Sequence, residues 1–166
     1  VTMTGAQHVF TTVNAAGAAD QVTFTTAYAG SAAAAVEKYV LANVAGNNIT
    51  LTAAGQDVTG SALNPDTVSG GSFVNASSTL DGGASALDVL NLVNDTASND
   101  LDNVTGFETI NIANTNASSY TTVNGLVAAG TVLTVVQTGN QNLTWNGAAE
   151  TNGNFNITTS GGADTI

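Results

Sequence analysis

Short runs of alternating apolar and polar residues dominate the chain, and most are closed by Gly, Asn or Asp. The clearest lies at residues 104–112, VTGFETINI, together with the preceding run 87–92, LDVLNL. In the first, Phe107, Ile110 and Ile112 are apolar while Glu108, Thr109 and Asn111 are polar. In the second, Leu87, Val89 or Leu90, and Leu92 are apolar around Asp88 and Asn91. Alternation built from β-branched and aromatic residues predicts a strand with one buried face. The same pattern predicts strands at 8–13 (HVFTTV), 21–26 (QVTFTT), 36–41 (VEKYVL) and 48–52 (NITLT), then at 119–123, 131–136, 142–145 and 154–158. Residues 30–35, GSAAAA, hold helix-forming alanines behind a possible N-cap, Ser31, and predict at most one helical turn. Residues 56–79 carry the only proline, Pro65, and no periodicity, so they read as a long connection.

Two of these pairs of runs resemble each other. Residues 20–24 (DQVTF) match 88–92 (DVLNL), and 36–41 match 107–112. Asp20 and Glu37 lie 17 residues apart, Asp88 and Glu108 lie 20 apart, and a third copy begins at 164–166 (DTI). An imperfect internal repeat of this length points to a repeat architecture. The expected organisation is a first β unit at 1–60, a connection at 61–80, and a second β unit at 81–166. The strands after residue 112 follow one another at about 10–12 residues, which suits the coils of a β-solenoid or a β-sandwich.

GGASALDVLNL followed by VTGFETINI resembles the S-layer-like and RTX-type (repeat-in-toxin) proteins that bacteria export by type I secretion. The terminal SGGADTI is similar to the opening of their calcium-binding nonapeptide arrays. With the repeat, this resemblance favours an all-β fold, a parallel β-solenoid or β-roll-like stack, with the sandwich as the alternative. Few charges suit stacked coils, because like charges at strand spacing repel.

Composition narrows the function. Twelve carboxylates face one lysine, Lys38, and one histidine, His8, for a formal charge of −11. Nucleic-acid binding needs Lys and Arg against phosphates, so that class is excluded. No apolar run reaches the roughly 18–20 residues of a membrane span, so no membrane insertion is expected. Without cysteine there are no disulfides and no thiolate chemistry. Cations are the natural partners, and calcium takes clustered oxygen ligands. In the nonapeptide pattern glycines make the turn and an aspartate closes the calcium cage. The residues here that correspond are Asp81 and Asp88 around Gly82 and Gly83, Asp164 after Gly161 and Gly162, and Asp20 by its repeat position. The spacer before Asp88 is longer than that pattern. A separate acidic loop adds Asp95, Asp100 and Asp102. The competing reading is that these aspartates cap turns. Glu37 and Glu108, at equivalent repeat positions, are expected to accept backbone hydrogen bonds at a coil corner.

Catalysis finds little support: His8 falls in an alternating run, and no aromatic platform lies beside two acids. The expected function is a non-enzymatic structural module of a secreted, cell-surface bacterial protein. It would associate with copies of itself into an S-layer, extracellular fibre or adhesin stalk, with calcium. The alternatives are a carbohydrate-binding module, with surface polysaccharide as partner, and a non-catalytic part of an RTX exoenzyme.

Overall fold

A computed structural model describes residues 1–10, 17, 20–94 and 101–166. The chain winds into a parallel β-solenoid of about seven turns. Its strands are β1 (Thr2–Met3), β2 (Gln21–Phe24), β3 (Ala29–Ser31), β4 (Lys38–Val40), β5 (Asn47–Thr50), β6 (Asp57–Thr59), β7 (Asp66–Ser69) and β8 (Leu80–Asp81), then β9 (Val89–Val93), β10 (Val104–Thr105), β11 (Thr109–Ala113), β12 (Ser118–Thr121), β13 (Val132–Gln137), β14 (Leu143–Asn146) and β15 (Asn154–Thr158). An α-helix, α1 (Gly5–Phe10), lies between β1 and β2, and a 3-10 turn lies at Gly71–Phe73. The odd strands from β3 to β15 form one seven-stranded sheet. On the opposite side β1, β2, β4, β6, β8 and β10 form a six-stranded sheet, and β12 pairs with β14. Each coil therefore lays one strand on each face, and every pairing is parallel. The 10–12-residue spacing is a half-coil and the Asp-to-Glu spacing is a full one.

Parallel in-register stacking puts chemically similar residues above one another. On the odd sheet one inward row runs Gly30, Ile49, Val68, Leu90, Ile110, Val135, Ile157. Its five middle members are fully buried. On the even sheet Val22, Tyr39, Val58, Leu80 and Val104 form the equivalent row, all buried. Outside the odd sheet, the Asn111 side-chain amide donates to Asn91 (2.9 Å) and that of Asn91 to Ser69 (3.1 Å). Phe24, Tyr39, Leu92, Phe107 and Ile110, the expected core of the two repeats, are all buried.

Three local expectations are corrected. The run at 8–13 is not a strand through His8–Phe10, which end α1, and its remainder, 11–13, lies outside the described residues. Thr4 and Gln7 form a reciprocal capping box: Gln7 N–H donates to Thr4 Oγ1 (3.1 Å) and Thr4 N–H to Gln7 Oε1 (2.7 Å). That local signal outweighs the alternation. The alanine run makes no helical turn. Ala29–Ser31 is β3, and the following corner is held by Gln56, which donates to Ala33 O (2.9 Å) and Val36 O (2.8 Å), and by Tyr39 Oη, which accepts from Ala33 N–H (2.6 Å). Four alanines cannot offset the cost of nucleating a helix against such partners. Finally, the expected connection through 56–79 contains β6 and β7, and β7 pairs with β5 on one side and β9 on the other. The sheet runs through it without a break.

Candidate functional site

The acidic residues act chiefly between coils. Asp20 and Glu37, and Asp88 and Glu108, adopt the same arrangement one coil apart. Asp20 N–H donates to Glu37 Oε2 and Asp88 N–H donates to Glu108 Oε2, both at 2.8 Å. In return Lys38 N–H donates to Asp20 O (3.1 Å), and Glu108 N–H and Thr109 N–H to Asp88 O (3.0 and 3.1 Å). This is the backbone-accepting role expected of the two glutamates. It recurs with other residues: Thr79 N–H donates to Asp57 Oδ1 (2.7 Å), and Leu143 N–H to Asp164 Oδ1 (2.8 Å). Glu150 gathers the most donors, from Gly125, Val127, Asn152 and Gly153. Partial burial acts to raise its carboxyl, but the backbone N–H groups of Val127, Asn152, Gly125 and Gly153 hold it down to about 2.

Asp88 is fully buried and stands apart by an oxygen left without a partner. Its Oδ1 accepts from Asp66 N–H at 2.7 Å, while Oδ2 is buried with no hydrogen-bond partner among the described residues. Burial raises its carboxyl to about 6, the Asp66 N–H opposes that, and the charges of Glu108, Asp66 and Asp81 add to it. Asp66 is equally buried, yet both its oxygens are used: Asn47 Nδ2 donates to Oδ1 (2.8 Å) and Ser61 N–H to Oδ2.

The glycines of 82–83 serve the stacking. A Cβ on Gly60 would lie 2.0 Å from Gly82 O, and one on Gly82 would lie 2.1 Å from Gly106 O. Three successive coils thus approach backbone to backbone at this corner, which side chains would hold apart. Gly83 adds a φ of 106°, disfavoured for residues with a Cβ.

Of the seven expected metal ligands, Asp95 and Asp100 lie outside the described residues. Asp81 is half-buried and accepts from Gly83 N–H (3.0 Å), as an aspartate capping its own turn. Asp20 accepts from Gly17 N–H (3.0 Å), Asp102 is exposed, and Asp164 engages Leu143. Asp81 and Asp88 lie near each other; Asp20, Asp102 and Asp164 belong to other coils. Among the described residues no three acidic or histidine side chains converge to hold a metal ion.

His8 is buried in α1 beside Phe24, Tyr28 and Tyr39, with ring centroids 5.4, 4.8 and 5.6 Å away. Burial lowers its pKa. Its ring packs edge-on against theirs. Elsewhere, Trp145, Gly147, Phe155, Ile157 and Ile166 line an open hollow of about 490 Å³. Sequence reasoning missed Asp66, Glu150 and this hollow. The alternation of NFNIT and NLTW was the only signal for the hollow, and it shows strands without showing a hollow between them.

No helix among the described residues is long and apolar enough to cross a membrane. No family model, curated protein or solved structure matches the chain.

Proposed function

We propose that the chain is a non-enzymatic structural module of an exported bacterial surface protein, of the S-layer, fibre or adhesin-stalk type. Its work is to hold length and stiffness and to associate with copies of itself. The observation that carries this reading is the unbroken odd sheet from β3 to β15. Its inner row is filled coil after coil, while the carboxylates clasp backbone between coils instead of converging on a cleft. A calcium contribution is part of the proposal. It rests on the net charge of −11 and on the acidic stretch that includes Asp95, Asp100 and Asp102.

The carbohydrate-binding alternative needs an exposed aromatic platform, whereas Tyr28, Tyr39, Tyr120 and Trp145 are all buried. The discriminating experiment is negative-stain electron microscopy and thermal melting in millimolar calcium, in EGTA, and in excess magnesium. Straight particles that associate, with a melting point raised by calcium and not by magnesium, are expected. A site occupied at a hundredfold excess over its Kd adds about 2.7 kcal/mol. Unassociated particles with saturable binding to a polysaccharide would favour the alternative.

A further inference from the structure

Along the odd sheet the side chains that do not point into the core form a flat face. Two outward rows run its length, one from Ala29 to Asn156 and the next from Ser31 to Thr158. Both consist only of Ala, Ser, Thr, Asn and Val. No outward position of the strands from β3 to β15 carries a charge, in a chain whose formal charge is −11. The described carboxylates stand at coil corners and loops, in the interior, or on the even sheet, where Asp57 and Asp81 point outward with Lys38.

Apolar groups are concentrated on the middle coils of this face. Val93 and Val132 are 48 % and 52 % exposed, and Leu87, at the corner leading into β9, is 68 % exposed. Val89 and Val136 are half-exposed in the two rows. Between them the Asn111 amide donates to Asn91 and the Asn91 amide to Ser69, which holds both in one orientation over three coils. Exposed apolar groups gathered in this way mark a contact surface.

Charge and spacing decide what covers it. Two chains of −11 repel each other wherever carboxylates are opposed. A second copy that presents this same face opposes no carboxylate of either sheet. The coil spacing of about 4.8 Å is shared by both copies, so the rows of one interleave with those of the other, with the sheets about 10 Å apart. A sugar would find no aromatic ring in the rows on which to stack.

We infer that two copies pack odd sheet against odd sheet, about a two-fold axis lying in the contact plane near β9, the middle strand. The inference rests on the structural reading above and names the face through which copies meet. Seven strands, about 4.8 Å apart and about five residues long, cover roughly 450 Å² on each copy. The pair buries about 900 Å², below the roughly 1,200 Å² of stable complexes, so the dimer is reversible. A two-fold contact closes on itself and yields a doubled, stiffer rod.

Sedimentation velocity over a concentration series should show a reversible monomer–dimer step. Small-angle X-ray scattering should show a compact dimer, its maximum dimension well short of twice the monomer's. The chain has no cysteine, so engineered ones report cleanly. A short bismaleimide spanning about 10 Å should link Val89→Cys between copies at least about tenfold faster than Thr121→Cys on the opposite side, after correction for each thiol's rate with N-ethylmaleimide. Thr134→Asp and Val132→Asp place a carboxylate on the face and should each weaken the dimer at least about tenfold, with circular dichroism unchanged. Thr121→Asp should leave it as it was. Equal cross-linking of the two cysteine variants, or indifference to both aspartates on the face, would overturn the pairing. If association persists as particles of doubled length while Val89→Cys fails to link, the face-to-face contact falls and the structural reading stands. If the chain is monomeric at every concentration and binds a neutral polysaccharide that Thr134→Asp abolishes, both fall.

Discussion

Replacing Asp88 by Asn tests whether the carboxylate buried between coils is kept protonated by its surroundings. Asp88 holds Asp66 N–H through Oδ1, while Oδ2 is buried without a donor and Glu108, Asp66 and Asp81 lie near. Burial, helped by the three neighbouring charges, outweighs the Asp66 N–H and raises the carboxyl from an ordinary value of 3.8 to about 6. A group whose pKa rises on folding favours the protonated fold. Between about pH 4 and pH 6 the unfolded chain gives up a proton that the folded one keeps, so this residue's contribution to stability falls as pH rises, then levels off. At 1.36 kcal/mol per pH unit the loss is at most roughly 3 kcal/mol. Asn keeps the acceptor for Asp66 N–H and cannot ionise. Melting of both proteins from pH 3.5 to 8, by calorimetry, should show Asp88→Asn gaining on the parent across that window, by about 6–12 °C at the usual 2–4 °C per kcal/mol. Background titrations cancel in the difference. Glu150, held down to about 2, runs the opposite way: its stabilisation is present above its ordinary value and lost as pH falls toward 2. A difference that stays flat from pH 3.5 to 8, or that narrows as pH rises, would refute the assignment.

Three further substitutions, one of them a control, test the stacking. Phe107→Ala removes a buried ring that follows the glycine corner and should cost about 3–5 kcal/mol in denaturant unfolding; a cost under about 1 kcal/mol would show the site collapsing or the ring exposed. Gly82→Ala drives a methyl to 2.1 Å from Gly106 O and should cost about 1–3 kcal/mol or more, whereas Gly125→Ala, where a Cβ meets nothing within 4 Å, should show only the lesser strain of its positive φ.

Much of the fold was legible because stacked coils repeat their chemistry. Alternation in 107–112 and 154–158 marks strands of five residues with two inward side chains each. The Asp20–Glu37 and Asp88–Glu108 spacings marked one coil, although the two pairs lie on different sheets: β2 with β4, and β9 with β11. The coil through 56–79 was hidden for a physical reason. β6 has a single inward residue, Val58, and β7 has Asp66 and Val68, so too few apolar positions remain to show a period. Asp66 also reads as a turn residue after Pro65, and only its buried neighbours Asn47, Ser61 and Asp88 reveal its place. The Thr4–Gln7 capping box was in the sequence, but the alternation beside it pointed to a strand. The hollow at Trp145 and Phe155 forms between residues of β14, β15 and Ile166 that are separated in sequence, which no local pattern records.

The coil-on-coil stack also sets how the rod yields under load. In a solenoid each coil is held mainly by its neighbours, so tension releases coils in steps and not all at once. Each repeat of 20 residues such as Asp88 to Glu108 pays out roughly 70 Å of chain. The coils tied together by the rings of His8, Phe24, Tyr28 and Tyr39 have contacts beyond the ladder, so they resist longest and serve as the template on which released coils wind back.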